Sequence, residues 1–225
     1  MVAGKLCVYC GYRLATDREH VVAKGLFYDP PEELLTVPAC HECNAGTGDG
    51  YTRNMSDDEA YTRDVMRLQA DLAWPGDPRM EVIRKVRRSI ERDRLRTEHF
   101  LTQMRWVPWL SPDLMTLSIR PAFVVDQSRL DRVQAKIARG LYFNLTGHVI
   151  GYRDTEIDIV SLLDPVDVLN FERYLSIAPW ITVGDPNVFR FAVIGDAGDI
   201  LGFFLEFYGI LQSATLLRNR AELST

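Results

Sequence analysis

Residues 6–53 read LCVYCGYRLATDREHVVAKGLFYDPPEELLTVPACHECNAGTGDGYTR. Two Cys-x-x-Cys pairs, Cys7/Cys10 and Cys40/Cys43, bracket Arg18-Glu19-His20-Val21-Val22, and Asn44 follows the last cysteine directly. A Cys-x-x-Cys pair can place two thiolates on one ion without strain, and two pairs complete a tetrahedral shell. All four cysteines of the chain lie in this stretch, in pairs of equal spacing, whereas a disulfide scaffold would spread them along the sequence. The spacing predicts a structural zinc held by Cys7, Cys10, Cys40 and Cys43; four thiolates leave no open position for water or substrate. The 29 residues between the pairs exceed the about 15–20 of an ordinary zinc ribbon, so the gap carries an insertion.

Working outward, residues 6–15 read as a short knuckle in which Gly11 allows a tight turn after Cys10. Residues 19–23 form a β-prone run, and Asp29-Pro30-Pro31 breaks the chain before residues 34–38 lead into the second pair. A helix is expected from Ser56: Ser56 and Glu59 have capping-box spacing, Asp57 and Asp58 suit a helix N-terminus, and Tyr61, Val65, Leu68 and Leu72 share one face. Residues 74–78, WPGDP, end it. A second helix is predicted over 79–104, with Arg84, Arg88, Arg92 and Arg96 in a stripe apart from its apolar side, and Trp106-Val107-Pro108-Trp109 closing it.

Beyond residue 110 the pattern alternates. Strands are expected at 114–119, 122–125, 148–152, 157–162, 189–194, 201–208 and 211–217, with helices at 128–142 and 165–175. Leu130, Val133, Ile137 and Leu141 mark the buried face of the first of these helices, and Gly195-Asp196-Ala197-Gly198 is a hairpin signal. The fold class is α+β, in three parts: an N-terminal module over 1–74, a basic helical connector over 75–110, and a mixed domain with antiparallel strands over 111–225.

Charge sharpens that division. The net charge of −5 argues against bulk coating of nucleic acid, but residues 79–110 carry +5 between segments of −6 and −4. With 47% hydrophobic and 25% charged residues the composition is that of a soluble globular protein. No apolar run reaches the ~18 residues of a membrane span and the start has no signal-peptide core, so a cytoplasmic location is expected.

On Cys7-x-x-Cys10, Glu19-His20 followed by Val21-Val22-Ala23-Lys24, the approach Leu35-Thr36-Val37-Pro38-Ala39-Cys40, and Cys43-Asn44, the chain resembles the HNH endonucleases in their cysteine-bearing ββα-metal form, over about residues 6–55. The resemblance implies a zinc-stapled module with His20 as general base and Glu19 and Asn44 as ligands of a catalytic divalent ion, Mg²⁺ or Mn²⁺. Asp49 is the alternative to Asn44. The chain departs from the family pattern at Leu35, where many members carry Asn, and at Ala45-Gly46-Thr47-Gly48, where many carry Lys.

The residue types suit that chemistry independently. Phosphodiester hydrolysis needs a water deprotonated near neutral pH, for which histidine, with an unperturbed pKa of about 6.5, is suited. A Mg²⁺ held by one carboxylate and one amide oxygen keeps positions open for phosphate and water. Neighbouring strand residues point to opposite faces, which fits separate roles for Glu19 and His20. An isolated acidic-His pair is ordinarily surface; its frame of cysteine pairs is what marks this one.

The arginine stripe is a candidate phosphate contact, set against the plainer reading of a solvated face paired with Glu81, Glu91 and Asp93; Arg18 and Lys24 flank the active strand. The aromatics of the second half read first as core and second as a base-stacking platform. The expected function is metal-dependent cleavage of DNA, with RNA left open, in a setting such as restriction or anti-phage defence. The alternative is a non-catalytic zinc module that binds nucleic acid or a protein. The second half is assigned to recognition, homo-dimerisation or regulation by a partner.

Overall fold

The computed structural model describes residues 4–27, 30–46, 54–70, 98, 102, 104–110, 117–152, 155–161, 175–184, 188–196, 199–209 and 211–219. These form a mixed helix-and-sheet architecture with three antiparallel sheets among the described residues.

The first sheet is a two-stranded ribbon of β1 (Asp17–His20) and β2 (Thr36–Ala39), in which Glu19 faces Val37 and His20 faces Thr36. The β-prone run predicted over 19–23 therefore ends at His20. One more ladder bond, from the Val21 N–H to the Leu35 carbonyl (2.9 Å), extends the pairing past His20, and the chain then enters a 3-10 turn at Lys24–Leu26. Both valines are buried. Leu35, which stands where the HNH pattern often has Asn, thus supports β1 through its backbone and packs its side chain partly against the core.

Helix α1 (His41–Asn44) is a single turn that starts as β2 ends. Helix α2 (Met55–Ala70) starts one residue before the Ser56 expected from the capping-box spacing. Asn54, in the left-handed region at φ 60°, precedes it and its carbonyl accepts from the Asp57 and Asp58 N–H groups. Tyr61 and Val65 are buried as their spacing predicts, with Met66 beside them.

The second sheet pairs β3 (Met104–Leu110) with β4 (Leu117–Phe123). The Trp-Val-Pro-Trp run expected to close a helix is thus a strand, and the two strands expected over 114–125 are one, paired from Met104–Phe123 to Leu110–Leu117 with Pro108 and Pro121 inside the paired stretch. Most of the predicted helix over 79–104 lies outside the described residues, of which Glu98 and Thr102 are helical while Met104 already belongs to β3; the boundary at 74–78 and most of the predicted helix over 165–175 also lie outside them.

Helix α3 (Gln127–Thr146) is the spine of the molecule. It opens one residue before the expected 128, with Asp126 at the N-cap position, and its end is fixed by Gly147 in the left-handed conformation at φ 74°. Leu130, Val133, Ile137 and Leu141 are buried on one face as expected. Five strands follow, β5 (Thr155–Ser161), β6 (Ile181–Thr182), β7 (Phe189–Asp196), β8 (Asp199–Phe207) and β9 (Leu211–Asn219), in the spatial order β5-β9-β8-β7-β6. The hairpin signal at 195–198 joins β7 to β8. The aromatics of this sheet are core: Phe189, Phe203 and Phe207 are fully buried, and Phe189 and Phe207 lie with ring centroids 4.6 Å apart.

Residues 148–152, expected as a strand, form none. They run instead across the first cysteine pair, where the Tyr152 N–H donates to the Tyr9 carbonyl (3.3 Å) and Gly11 meets Gly151 so closely that a Cβ on Gly11 would sit 2.9 Å from the Gly151 Cα. One buried apolar cluster runs from Cys7 through α3 to Leu211. The N-terminal module and the sheet expected as a separate domain share that core, with α3 between them.

Candidate metal centre and ionic cluster

The first cysteine pair sits on a loop closed by the Leu6–Leu14 bridge and by the Gly11 N–H donating to the Cys7 carbonyl (2.9 Å). Gly11, at φ 77°, supplies the left-handed turn that a residue with a Cβ adopts at a cost. The Val8 N–H donates to the Pro38 carbonyl (2.9 Å), which ties this loop to the end of β2. Cys40 follows β2 directly and Cys43 lies one turn later in α1.

That path brings the four Sγ atoms within 4.8 Å of one another, all buried. Four sulfurs at the ordinary Zn–S distance of about 2.3 Å would lie roughly 3.8 Å apart in a tetrahedron, so the group fits a metal ion such as zinc. The thiols also polarise one another. A hydrogen bond from Cys43 holds Cys7 down at about 5 against the opposing effect of burial, whereas burial pushes Cys40 up to about 11 and the interaction with Cys7, joined by burial, raises Cys43. Among the described residues this is the one group of three or more His, Cys, Asp or Glu side chains placed to share an ion.

His20 ends β1, half-buried. Its carbonyl accepts from the Tyr9 hydroxyl (3.5 Å), and its Nδ1 is enclosed without a hydrogen-bond partner. Burial first, then the charges of Lys24 and Lys136, hold its pKa below the ordinary 6.5. The imidazole is therefore neutral at neutral pH and able to accept a proton.

Glu19 points the other way, into the seam between the module and α3. Lys136 of α3 donates to its Oε1 (2.7 Å) and to Oε1 of Glu59 from α2 (2.5 Å). The Lys136 side chain is 4% exposed, and its ammonium lies 5.5 Å from the centroid of the buried Tyr9 ring. Burial alone would favour the neutral amine, but the carboxylates of Glu59 and Glu19 outweigh it and hold the lysine above its usual pKa. Burial raises the pKa of Glu59, partly offset by Lys136.

A second ion cluster lies further along the same seam. The buried Asp58 carboxylate accepts from Arg129 Nε (2.7 Å) and from Arg132 Nε and a second Arg132 nitrogen (2.7 and 3.1 Å). The Arg129 guanidinium also covers the Tyr61 ring at 4.3 Å.

Of the residues singled out in the sequence, the structure joins the four cysteines and places Glu19 and His20 on adjacent positions of one strand. Asn44 ends α1 and is exposed, as are Arg18 and Lys24. His41, inside the second pair, is exposed and lies 3.5 Å from Asp17. Asp49 and the arginines at 84, 88, 92 and 96 lie outside the described residues.

Sequence reasoning missed Lys136, Glu59, Asp58, Arg129 and Arg132. A signal existed: Arg129, Arg132, Lys136 and Arg139 recur at helical spacing beside the apolar face of α3, and Asp57-Asp58-Glu59 supply the opposite charge. Read alone, each run has a local explanation in helix capping or solvation; only their match predicts the seam. No described helix is long and apolar enough to cross a membrane. Comparison of the chain with protein-family models, curated proteins and solved structures finds no match.

Proposed function

We propose that this chain is a metal-dependent endonuclease of HNH type that hydrolyses phosphodiester bonds in DNA, with His20 as the general base. The observation that supports it most is the placement of His20: at the end of a ribbon whose β2 strand runs into the cysteine group, half-buried, with Nδ1 enclosed and its pKa held down. A histidine in that state accepts a proton from water at neutral pH, as general base catalysis requires.

The remaining roles follow from the residue chemistry. Cys7, Cys10, Cys40 and Cys43 hold a structural zinc, which fixes β2 and α1 relative to the first loop. A Mg²⁺ or Mn²⁺ would be held by Glu19, whose Oε1 alone is committed to Lys136, and by the amide of Asn44. When bound, such an ion stabilises charge on the phosphate oxygens. Arg18 and Lys24, both exposed, are the nearby cations for the phosphate backbone.

Purified zinc-loaded protein should nick supercoiled plasmid with Mg²⁺ or Mn²⁺. His20→Ala should abolish cleavage and leave the melting temperature within about 2 °C of wild type, since a half-exposed side chain with no side-chain hydrogen bond contributes little. Undiminished cleavage by that variant would remove His20 from the mechanism.

The Glu19–Lys136 ion pair favours a second reading, a zinc module that binds nucleic acid or a protein without cleaving. It predicts one zinc per chain, no bound Mn²⁺ and no nicking with any divalent ion.

A further inference from the structure

We propose that Lys136 is a positioning residue of the catalytic site, which orients the Glu19 carboxylate from behind and makes α3 part of the active centre. This rests on the nuclease reading above. The geometry is that of a built relay: Glu59 of α2 holds the ammonium at 2.5 Å, and the ammonium in turn holds Glu19 Oε1 at 2.7 Å. The lysine side chain is 4% exposed and the two carboxylates 17% and 14%, so water competes little for any of the three.

A carboxylate on a short edge ribbon has free rotation about its side-chain bonds unless something fixes it. Here one oxygen is fixed by a cation, leaving the other the fixed orientation a metal ligand needs. The charges also balance in a telling way. Two carboxylates and one ammonium leave a net charge of −1, so the lysine orients Glu19 without cancelling the negative charge that attracts a divalent ion. At the Asp58 cluster both oxygens of the buried carboxylate are taken by arginine N–H donors, which leaves neither for a cation. The two clusters share one helix seam, but only the Lys136 cluster, where Glu19 is bonded through Oε1, touches β1.

The test is Mn²⁺ binding to zinc-loaded protein, read by electron paramagnetic resonance, alongside the Mn²⁺ concentration for half-maximal nicking. Glu19→Gln, which should abolish Mn²⁺ binding, identifies the site. Lys136→Met should weaken Mn²⁺ binding by about 10–100-fold, the usual effect of losing a group that orients a metal ligand, and raise the half-maximal concentration in step. Since Lys136→Met strands two carboxylates, Lys136→Met/Glu59→Gln is made beside it; it removes both buried charges, keeps Glu19, and should show the same defect in a folded protein. Arg132→Met, at the other cluster, should lower the melting temperature while leaving Mn²⁺ affinity unchanged.

Mn²⁺ affinity within twofold of wild type in the folded double variant, or affinity that tightens, overturns the proposal and leaves Lys136 a structural ion pair. Wild type that binds Mn²⁺, loses it in the Lys136 variants, yet cleaves nothing removes the nuclease reading while the positioning role stands. Wild type that binds no Mn²⁺ removes both.

Discussion

The two halves of the molecule reach order by different means. The C-terminal sheet has five strands, three of them eight or nine residues long, and its inner face is filled with Phe189, Phe203, Leu205, Phe207 and Leu211. The N-terminal ribbon has two strands of four residues and a helix of four. A two-stranded ribbon is marginal on its own, whereas three or more strands with an apolar face can stand alone. The N-terminal half therefore depends on what is bolted to it, at one end the cysteine group and at the other α3. The half proposed to carry the chemistry is the half least able to fold unaided.

The largest expected effect breaks the first of these attachments. Chelation of the metal, or Cys40→Ser, should unfold residues 7–44 while β7 to β9 persist, because structural zinc in small modules supplies about 10–16 kcal/mol of apparent folding free energy. Hydrogen exchange checks it: amides of β1 and β2 should lose protection and those of β8 and β9 retain it. Equal loss across both regions would mean that the apolar cluster shared through α3 makes the two halves a single cooperative unit.

The second attachment is the ionic seam. Lys136→Met leaves Glu19 and Glu59 facing one another in a largely dry site, and removing one partner of a buried pair costs about 3–5 kcal/mol. Urea unfolding should show that loss, and Lys136→Met/Glu59→Gln should recover part of it. A loss below about 1 kcal/mol would place the cluster effectively in water and weaken the case that α3 organises the module.

How far the sequence disclosed this depends on the range of the interaction. The cysteine group, the helical faces of α2 and α3, and the strands of the C-terminal sheet were legible because spacing and periodicity report local geometry. The seam was not. Nothing near Glu19 in the chain indicates a partner 117 positions away, and Asp57-Asp58-Glu59 were accounted for as favourable charges at a helix start. Residues 148–152 were misread for a related reason: a short β-prone segment has the same pattern whether it joins a sheet or lies against a loop, and the Gly11–Gly151 contact decides between them. Likewise the aromatics read as core because their runs were apolar with few basic neighbours, and burial agrees.

The apolar part of the seam gives a smaller, sharper test. A Cβ on Gly140 of α3 would stand 2.8 and 2.9 Å from the two Val21 methyls just after β1. Gly140→Ala gains helix propensity of up to about 1 kcal/mol, but overpacking against a stiff β-branched side chain costs about 1–3 kcal/mol. A net loss near 1 kcal/mol is expected, with Val21→Ala in the same chain restoring stability relative to the sum of the single changes. Additive losses would show that the ribbon can shift away from α3 without penalty.

The smallest effect should come from the sheet's own ion pair. Arg218 on β9 and Asp158 on β5 lie 2.6 Å apart across paired strands, with side chains 54% and 36% exposed. This contact is about as short as that of Lys136 with Glu19, yet water screens it and each side chain loses rotamer freedom in making it, so exposed pairs contribute about 0–1 kcal/mol. Arg218→Met should therefore change urea stability by under about 1 kcal/mol, several-fold less than Lys136→Met. The contrast is between burial and distance as the source of strength. Comparable losses from the two variants would show that the seam is as hydrated as the sheet surface; a wide gap would show that the dry cluster beside Glu19, rather than ion pairing as such, holds the ribbon to α3.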